Sequence, residues 1–324
     1  MSQSRTISCW CGNDQLTDFG PEFLHCAACQ TLVSRQRGKP ADEITHVGSD
    51  EAGLYGKSYW FEHQQNDVGL PDITSRARTD LPERCVHWLR TLLAHKPSPA
   101  KVLELGSAHG GFVALLRLAG YDAAGLELSP YIVDFARATF DVPMHLGPVE
   151  DQPIAARSLD AVLMMDVLEH LPDPIGTMRH VASLLKPDGV LIAQTPKYPE
   201  STSFSSLVEA DAYFLNHMRG KAPEHLLLFS AASAARLMRN IGLPEIDFQT
   251  PIFHQYDMYF VASRQTSTPR PEAEQAASLQ RTAGGRLTQA LLDAAAQRDL
   301  YLSEANNRLR VIDGLVAEIE RLKK

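Results

Sequence analysis

Between residues 49 and 264 the chain alternates compact apolar runs with stretches whose apolar positions recur every three to four residues. In series, such strand–helix units predict a parallel sheet covered by helices, an α/β fold. Val102-Leu103-Glu104-Leu105 predicts a strand closed by glycines, and residues 112–119 a helix that Gly120 stops. Residues 123–128 predict the next strand. Ser129 is placed to cap the helix that follows, with Pro130 at its first position, where a missing N–H costs nothing. Residues 159–166 read as a buried strand, and Asp173-Pro174 opens a helix that Asp188-Gly189 should end before a strand at 190–195. Ser230 caps a helix that Gly242 closes, and residues 246–249 and 257–263 alternate as a terminal antiparallel pair.

The two flanks differ from this middle. Residues 1–48 are poor in periodic runs and hold four of the five cysteines. A Ser/Thr/Pro/Gln stretch at 265–275 reads as a linker into a helical tail at 276–324. In that tail Leu302, Ala305, Leu309, Ile312, Val316 and Ile319 recur at spacings of 3, 4, 3, 4 and 3, the a/d seam of a coiled coil. Glu318, Glu320, Arg321 and Lys323 stand near it. A homo-oligomer joined through this helix is expected; a single helix docked on its own domain would show the same pattern.

Charge narrows the partners. Lys and Arg number 31 against 39 Asp and Glu, a formal net charge of −8 in 324 residues, which argues against nucleic acid held through its phosphates. No apolar run approaches the roughly 18 residues of a membrane span, and residues 1–5 lack the apolar core of a secretion signal. A cytoplasmic protein without a membrane span is expected.

In a reducing compartment the spacing Cys9-x-Cys11 and Cys26-x2-Cys29 suits four thiolates around a tetrahedral structural Zn2+. Residues 1–48 would then be a zinc-ribbon domain. Cys85 stands alone on a predicted helix, as a small buried hydrophobe does.

The most informative segment is Glu104-Leu105-Gly106-Ser107-Ala108-His109-Gly110-Gly111, where a strand ends, small residues turn the chain and a helix begins. Small residues let a ligand approach the backbone and the helix N-terminus. A dinucleotide loop fits, with Ala108 in its second glycine slot and Glu127 on the ribose; so does an S-adenosylmethionine loop, with Glu104 ahead of the glycines.

Taken with Gly125-Leu126-Glu127, Glu150-Asp151, the block from Leu159 through Asp166-Val167-Leu168-Glu169-His170, and Leu185-Lys186-Pro187-Asp188-Gly189, the chain resembles class I S-adenosylmethionine-dependent methyltransferases. The group it is similar to contains ubiquinone-pathway and sugar methyltransferases. That resemblance implies a Rossmann-like, doubly wound seven-stranded sheet with its last strand antiparallel, in a methyltransferase domain at 49–264. It implies that Glu104 and Gly106 line the methionine part of the cofactor, that Glu127 holds the ribose, that Glu150 and Asp151 meet the adenine, and that Met165 and Asp166 lie beneath the sulfonium end, with Ser107, Ala108, Gly110 and Leu128 also in the cofactor site. Ala108 replaces the family's usual middle glycine.

Methyl transfer needs alignment and removal of a proton, for which histidine is suited by a pKa near neutrality. His170 follows the fourth strand, where it either closes the pocket or acts chemically. Glu224-His225 precedes the capped helix, and in sugar C-methyltransferases of the resembled group such a pair is a proposed base; His225 is expected to be the base and Glu224 its orienting partner. Residues 196–230 are long for a strand-to-helix link and hold Tyr198, Phe204, Tyr213, Phe214, His217 and Arg219, as a substrate-covering insertion would. A Tyr-rich stretch at 55–61 either covers the site or packs as an ordinary arm. Arg76, Arg78, Arg84 and Arg90 either meet an anionic substrate or form a solvated helix face, and the second is the preferred reading. The expected acceptor is a small molecule or glycan, a nucleotide sugar or chain end. Ribbon, methyltransferase and terminal helix together look like enzymes of surface-polysaccharide assembly, so proteins of that machinery are candidate partners. An NAD-dependent oxidoreductase and a non-catalytic assembly module are the alternatives.

Overall fold

The computed structural model describes residues 7–38, 55–60, 64–66, 69, 71–218 and 225–323. Glu224, Arg219, Phe61 and the boundary at residue 48 lie outside them. Three short antiparallel strands open the chain: β1 (Thr17–Phe19), β2 (Phe23–Cys26) and β3 (Thr31–Ser34). Helix α1 (Ile73–Asp80) passes through a π-helical turn (Leu81–Cys85) into α2 (Val86–His95). The alternating part follows as β4 (Lys101–Leu105), α3 (Gly111–Leu118), β5 (Asp122–Glu127), α4 (Pro130–Phe140), β6 (Met144–Leu146), β7 (Leu159–Met165), α5 (Pro174–Leu184) and β8 (Leu185–Pro196). Then come α6 (Phe204–Glu209), β9 (Leu227–Phe229), α7 (Ala231–Asn240), β10 (Glu245–Gln249), β11 (Asp257–Ser263), α8 (Glu272–Leu279) and α9 (Ala283–Leu322).

Seven strands form the main sheet in the order β10-β11-β8-β7-β4-β5-β6, with β11 running against all the others. This is the Rossmann-like arrangement expected, its last strand antiparallel. The central strands are buried on both faces, which is why they read as unbroken apolar runs.

Local differences have physical causes. Helix α5 stops at Leu184 and β8 starts at Leu185, ahead of the expected stop at Asp188-Gly189. The Arg264 guanidinium donates to the carbonyls of Ala182, Leu185 and Lys186, taking up groups that another helical turn would have used. Asp188-Gly189 instead lie in a bulge, where pairing jumps from Leu159↔Leu185 to Ala161↔Val190. Ser129 sits at the N-cap of α4, yet its hydroxyl makes no cap bond. Asp173 and Ser230 cap as expected, Ser230 in a reciprocal box with Ser233.

The cysteine-bearing hairpins are not a separate sheet. β3 pairs antiparallel with β9, so a strand from late in the chain completes their four-stranded sheet. Leu226 is held from both sides: its N–H donates to the Glu169 carbonyl and its carbonyl accepts from Ser34, each at 2.9 Å. The 196–218 insertion packs on this small sheet, with Tyr198, Leu207, Phe214 and Met218 against Phe19, Phe23, Leu32 and Leu228.

At the other end, α8 begins at Glu272, inside the stretch expected as linker. The first part of α9 buries Gly285, Thr288, Leu292 and Ala295, and Arg90–Asp299 (3.3 Å) and Arg298 to the Pro82 carbonyl (3.1 Å) pin it to the domain. Its distal half, residues 300–322, is exposed throughout. Among the described residues no helix is long and apolar enough to cross a membrane.

Candidate active site

The crevice opens where β4, β5 and β7 end. After β4 the chain passes Gly106 at φ +67° and Ala108 at φ +43°, a left-handed backbone that an alanine tolerates only when the surroundings enforce it. Gly110 caps α3 at φ +78°; a Cβ there would come within 2.8 Å of the Ala136 Cβ, so this glycine serves the approach of α3 to α4. Ser107 turns its hydroxyl inward to the Leu126 carbonyl at 3.3 Å, and its N–H donates to the same carbonyl at 3.2 Å. His109 accepts from Gly111 N through Nδ1 and donates to Asp80 through Nε2 at 3.1 Å, locking the turn onto α1.

Two carboxylates define this half. Glu104 is buried, with Oε2 unpartnered, and burial followed by the nearby Glu127 pushes its carboxyl well above the usual range. Glu127 accepts from Leu128 N at 2.8 Å and Ala108 N at 3.2 Å, which ties the end of β5 to the turn after β4; burial raises its pKa, and these bonds oppose the rise. An orphan buried carboxylate beside small residues at strand ends fits a cationic, hydroxyl-bearing ligand, which would offset the desolvation cost. Glu150 and Asp151 are exposed in the turn after β6, and Glu150 accepts from Thr177 at 2.5 Å.

Asp166, just past β7, is a second non-glycine residue in left-handed backbone, at φ +59°. Trp88 donates to Gln194 at 3.2 Å, and Gln194 donates to both Asp166 oxygens at 3.3 and 3.4 Å. Burial raises the Asp166 pKa, with Arg84 and Gln194 pulling the other way. Arg76 and Arg84 are not the solvated face expected: both are largely buried and pair with Asp80 at 3.3 and 3.9 Å, while Arg90 pairs with Asp299 and Arg78 alone is exposed.

Beyond Asp166 lies a histidine cluster. Glu169 is fully buried; Oε2 accepts from Thr195 at 2.8 Å and Oε1 has no hydrogen-bond partner. Burial, then the Asp166 charge, pushes its pKa well up. His170 Nε2 lies 3.9 Å from Glu169 Oε1, and the His170 and His225 rings are 4.9 Å apart. His225 donates from Nδ1 to the His217 carbonyl at 2.7 Å, which fixes its tautomer and leaves Nε2 as the acceptor. Burial lowers its pKa and, more strongly, that of His217, to about 3. Glu169, His170 and His225 offer ligand atoms within 4.8 Å of one another, close enough to share a metal ion.

Rings wall the cluster. Tyr55 lies 6.2 Å from His170; Tyr256 stacks between Tyr213 (4.3 Å) and Phe253 (5.4 Å) and lies 5.2 Å from His217. The Arg84 guanidinium sits 5.0 Å over Phe253. Asp257 is buried nearby, its carboxyl pushed up to about 8 by desolvation and Asp166. Apart from this crevice, Cys9, Cys11, Cys26 and Cys29 converge with sulfur pairs at 3.5 and 3.6 Å. The hydrogen bond between Cys9 and Cys29 lowers the Cys29 pKa and raises that of Cys9. Four converging cysteine sulfurs fit a tetrahedral cation.

A family described as a methyltransferase domain matches residues 77–245, just over half of the chain. The chain belongs to that family. It is an S-adenosylmethionine-dependent methyltransferase, which decides between the two cofactors its glycine loop admits and sets aside the oxidoreductase alternative. The methyltransferase is 32% identical over 177 residues to a ubiquinone biosynthesis O-methyltransferase of Xanthomonas axonopodis pv. citri (strain 306), covering 51% of this chain and 73% of that one. A protein of the same name from Neisseria meningitidis serogroup C (strain 053442) is 29% identical over 48% of this chain and 68% of its own. With the one from Xanthomonas campestris pv. campestris (strain B100) the identity is 36%, but the chain spans only 43% of that relative. Solved structures that overlap it loosely include the PH0226 protein from Pyrococcus horikoshii OT3 (17% identity, TM-score 0.45, 67% of this chain and 100% of that one). A SAM-dependent methyltransferase from Archaeoglobus fulgidus overlaps similarly (16%, TM-score 0.44, 56% and 93%).

Of the residues singled out in the sequence, the structure brings Glu104, Gly106, Ala108 and Glu127 together at one strand edge and places Asp166 between them and the pair His170 and His225. Glu224 lies outside the described residues. Sequence reasoning missed Glu169 as a buried group, and it missed Gln194, Asp257 and Tyr256; of these, Glu169, inside the block that carries the resemblance, left a local signal. Arg84 was singled out, but its solvated reading was preferred.

Proposed function

We propose that this methyltransferase transfers a methyl group to the oxygen of a ring-borne, phenol-type hydroxyl, with His225 as general base. Glu104, Gly106, Ala108 and Glu127 would hold the cofactor, Asp166 would stand under its sulfonium end, and Glu150 and Asp151 would border the adenine. The cofactor, when bound, supplies a methyl group on positively charged sulfur. The chain's own residues then orient the acceptor, exclude water and take one proton. His225 Nε2 accepts that proton, and the His217 carbonyl stabilises the imidazolium through Nδ1–H.

The observation that carries this reading is the fixed tautomer of His225 in a wall of aromatic rings. Burial weakens His225 as a base, which suits an acidic phenol, of pKa near 10 like tyrosine, better than the more basic alcohol of a sugar. The O-methyltransferase names of the relatives point the same way; they lend nothing to the expected sugar acceptor or to polysaccharide-assembly partners. The test is label transfer from methyl-labelled cofactor to a panel of dihydroxybenzenes and nucleotide sugars. Transfer to the sugars alone overturns the acceptor class.

One observation favours a second reading of the same cluster: the unpartnered Glu169 Oε1, with His170 and His225 beside it. A divalent cation held there would acidify the hydroxyl in place of His225. A chelator that abolishes turnover, reversed by magnesium or manganese while the cysteine-bound metal stays in place, selects the cation. We assign Zn2+ to the four cysteines as a structural ion, and their free thiols fit a reducing, cytoplasmic setting.

A further inference from the structure

The two halves of α9 carry different apolar stripes. In the docked half the buried positions are Gly285, Thr288, Leu292 and Ala295. Continued at the same spacing, that stripe would fall on Asp299, Leu302, Asn306, Leu309 and Asp313, polar at every second step. The apolar positions instead run through Leu302, Ala305, Leu309, Ile312, Val316 and Ile319, a stripe turned by about 50° around the axis. The distal face is therefore not a continuation of the face that grips the domain. Leu309, Ile312, Val316 and Ile319 are 50–55% exposed, and Leu315 and Leu322 beside them 55% and 75%. A free helix end with such a stripe buries it against another helix.

We infer that this seam joins copies of the same chain, as a parallel, in-register bundle of three or four helices. Orientation follows from charge. With Leu302, Leu309 and Val316 at a, Arg308 falls at g and Asp313 at e of the next heptad, positions that meet between neighbours in a parallel bundle. An antiparallel arrangement of the same seam sets e against e and g against g, facing Asp313 with Asn306 and Arg308 with Leu315, and so separates the two charges. Along its own helix Arg308 makes only an exposed 3.6 Å pair with Glu304, which leaves the guanidinium able to reach a neighbour. The number follows from side-chain shape: leucine at a (302, 309) with isoleucine at d (312, 319) disfavours two strands, and Leu315 and Leu322 at g widen the buried stripe. Gly314 lies on the opposite face, where a Cβ would meet nothing.

Light scattering on the full chain should give three or four times 35.8 kDa. Ile312→Glu should give a monomer that still binds S-adenosylhomocysteine with wild-type affinity, showing an intact domain. Leu309→Cys should cross-link between copies under mild oxidation, since like positions adjoin in register. Arg308→Glu should loosen the assembly at least tenfold, and Arg308→Glu/Asp313→Arg should restore it. A monomeric or dimeric wild type overturns the inference. So does an oligomer that Leu309→Cys fails to cross-link, or a monomer whose helix is taken up by a different protein. None of these outcomes depends on the acceptor.

Discussion

The two halves of the crevice are built by different means. The half to which we assign the cofactor comes from one stretch of chain, residues 104–166, and its groups sit at the ends of neighbouring strands held by the hydrogen bonds of the main sheet. The half to which we assign the acceptor gathers Tyr55, Arg84, His170, Tyr213, His217, His225 and Asp257 from segments far apart in sequence, held by ring contacts and by a strand paired to the cysteine-bearing hairpins. Backbone pairing makes the first half hard to perturb by a side-chain change outside it. The second depends on side chains and on a distant small sheet, so it should fail independently.

The sharpest way to break this comparison is His225→Ala, expected to lower kcat on the order of 10²-fold or more with S-adenosylhomocysteine affinity unchanged by calorimetry. A matching loss of affinity would show that the halves are not separate. The reverse case is Glu127→Ala, which removes an acceptor of charge-assisted bonds and should weaken cofactor binding by about 10- to 100-fold, with the acceptor KM at saturating cofactor unaltered. Cys26→Ser should lose the bound zinc and loosen β3 and β9, raising the acceptor KM roughly tenfold, a cost of about 1.4 kcal/mol, while cofactor affinity holds. Metal analysis with full zinc occupancy in that variant would remove the link. A smaller effect concerns pH. The base must be neutral, and burial lowers its pKa, so activity should rise with pH through an inflection below the ordinary 6.5; an acid limb at or above 6.5 contradicts the assignment.

How far the residues announced this arrangement differs between the same two halves. Glu104, Gly106 and Glu127 were readable because strand-end chemistry is compressed into short runs, each close to the strand that positions it. His225 was readable as a histidine before a capped helix, yet its partner was not: the His217 carbonyl belongs to the backbone, which no residue type reveals. Arg84 looked solvated because its i−4 partner Asp80 reads as an ordinary surface pair, while the buried carboxylates Asp166 and Asp257 that also act on it come from distant strands. Gly110 carries a second reason to be glycine that the sequence did not show: its missing side chain makes room for Ala136. The pairing of β3 with β9 was invisible, since short strands so far apart in the chain share no periodicity.

That shared strand also bears on how such a protein can be rebuilt. With β9 as the fourth strand of the hairpin sheet, the hairpins cannot be traded for those of another protein as a bolt-on part. A donor segment would have to match the edge at Leu227–Phe229 in register and in side-chain pattern. Shuffling near residue 48 would thus part β3 from its partner strand β9, and recombinants that tolerate it should carry both pieces from one parent.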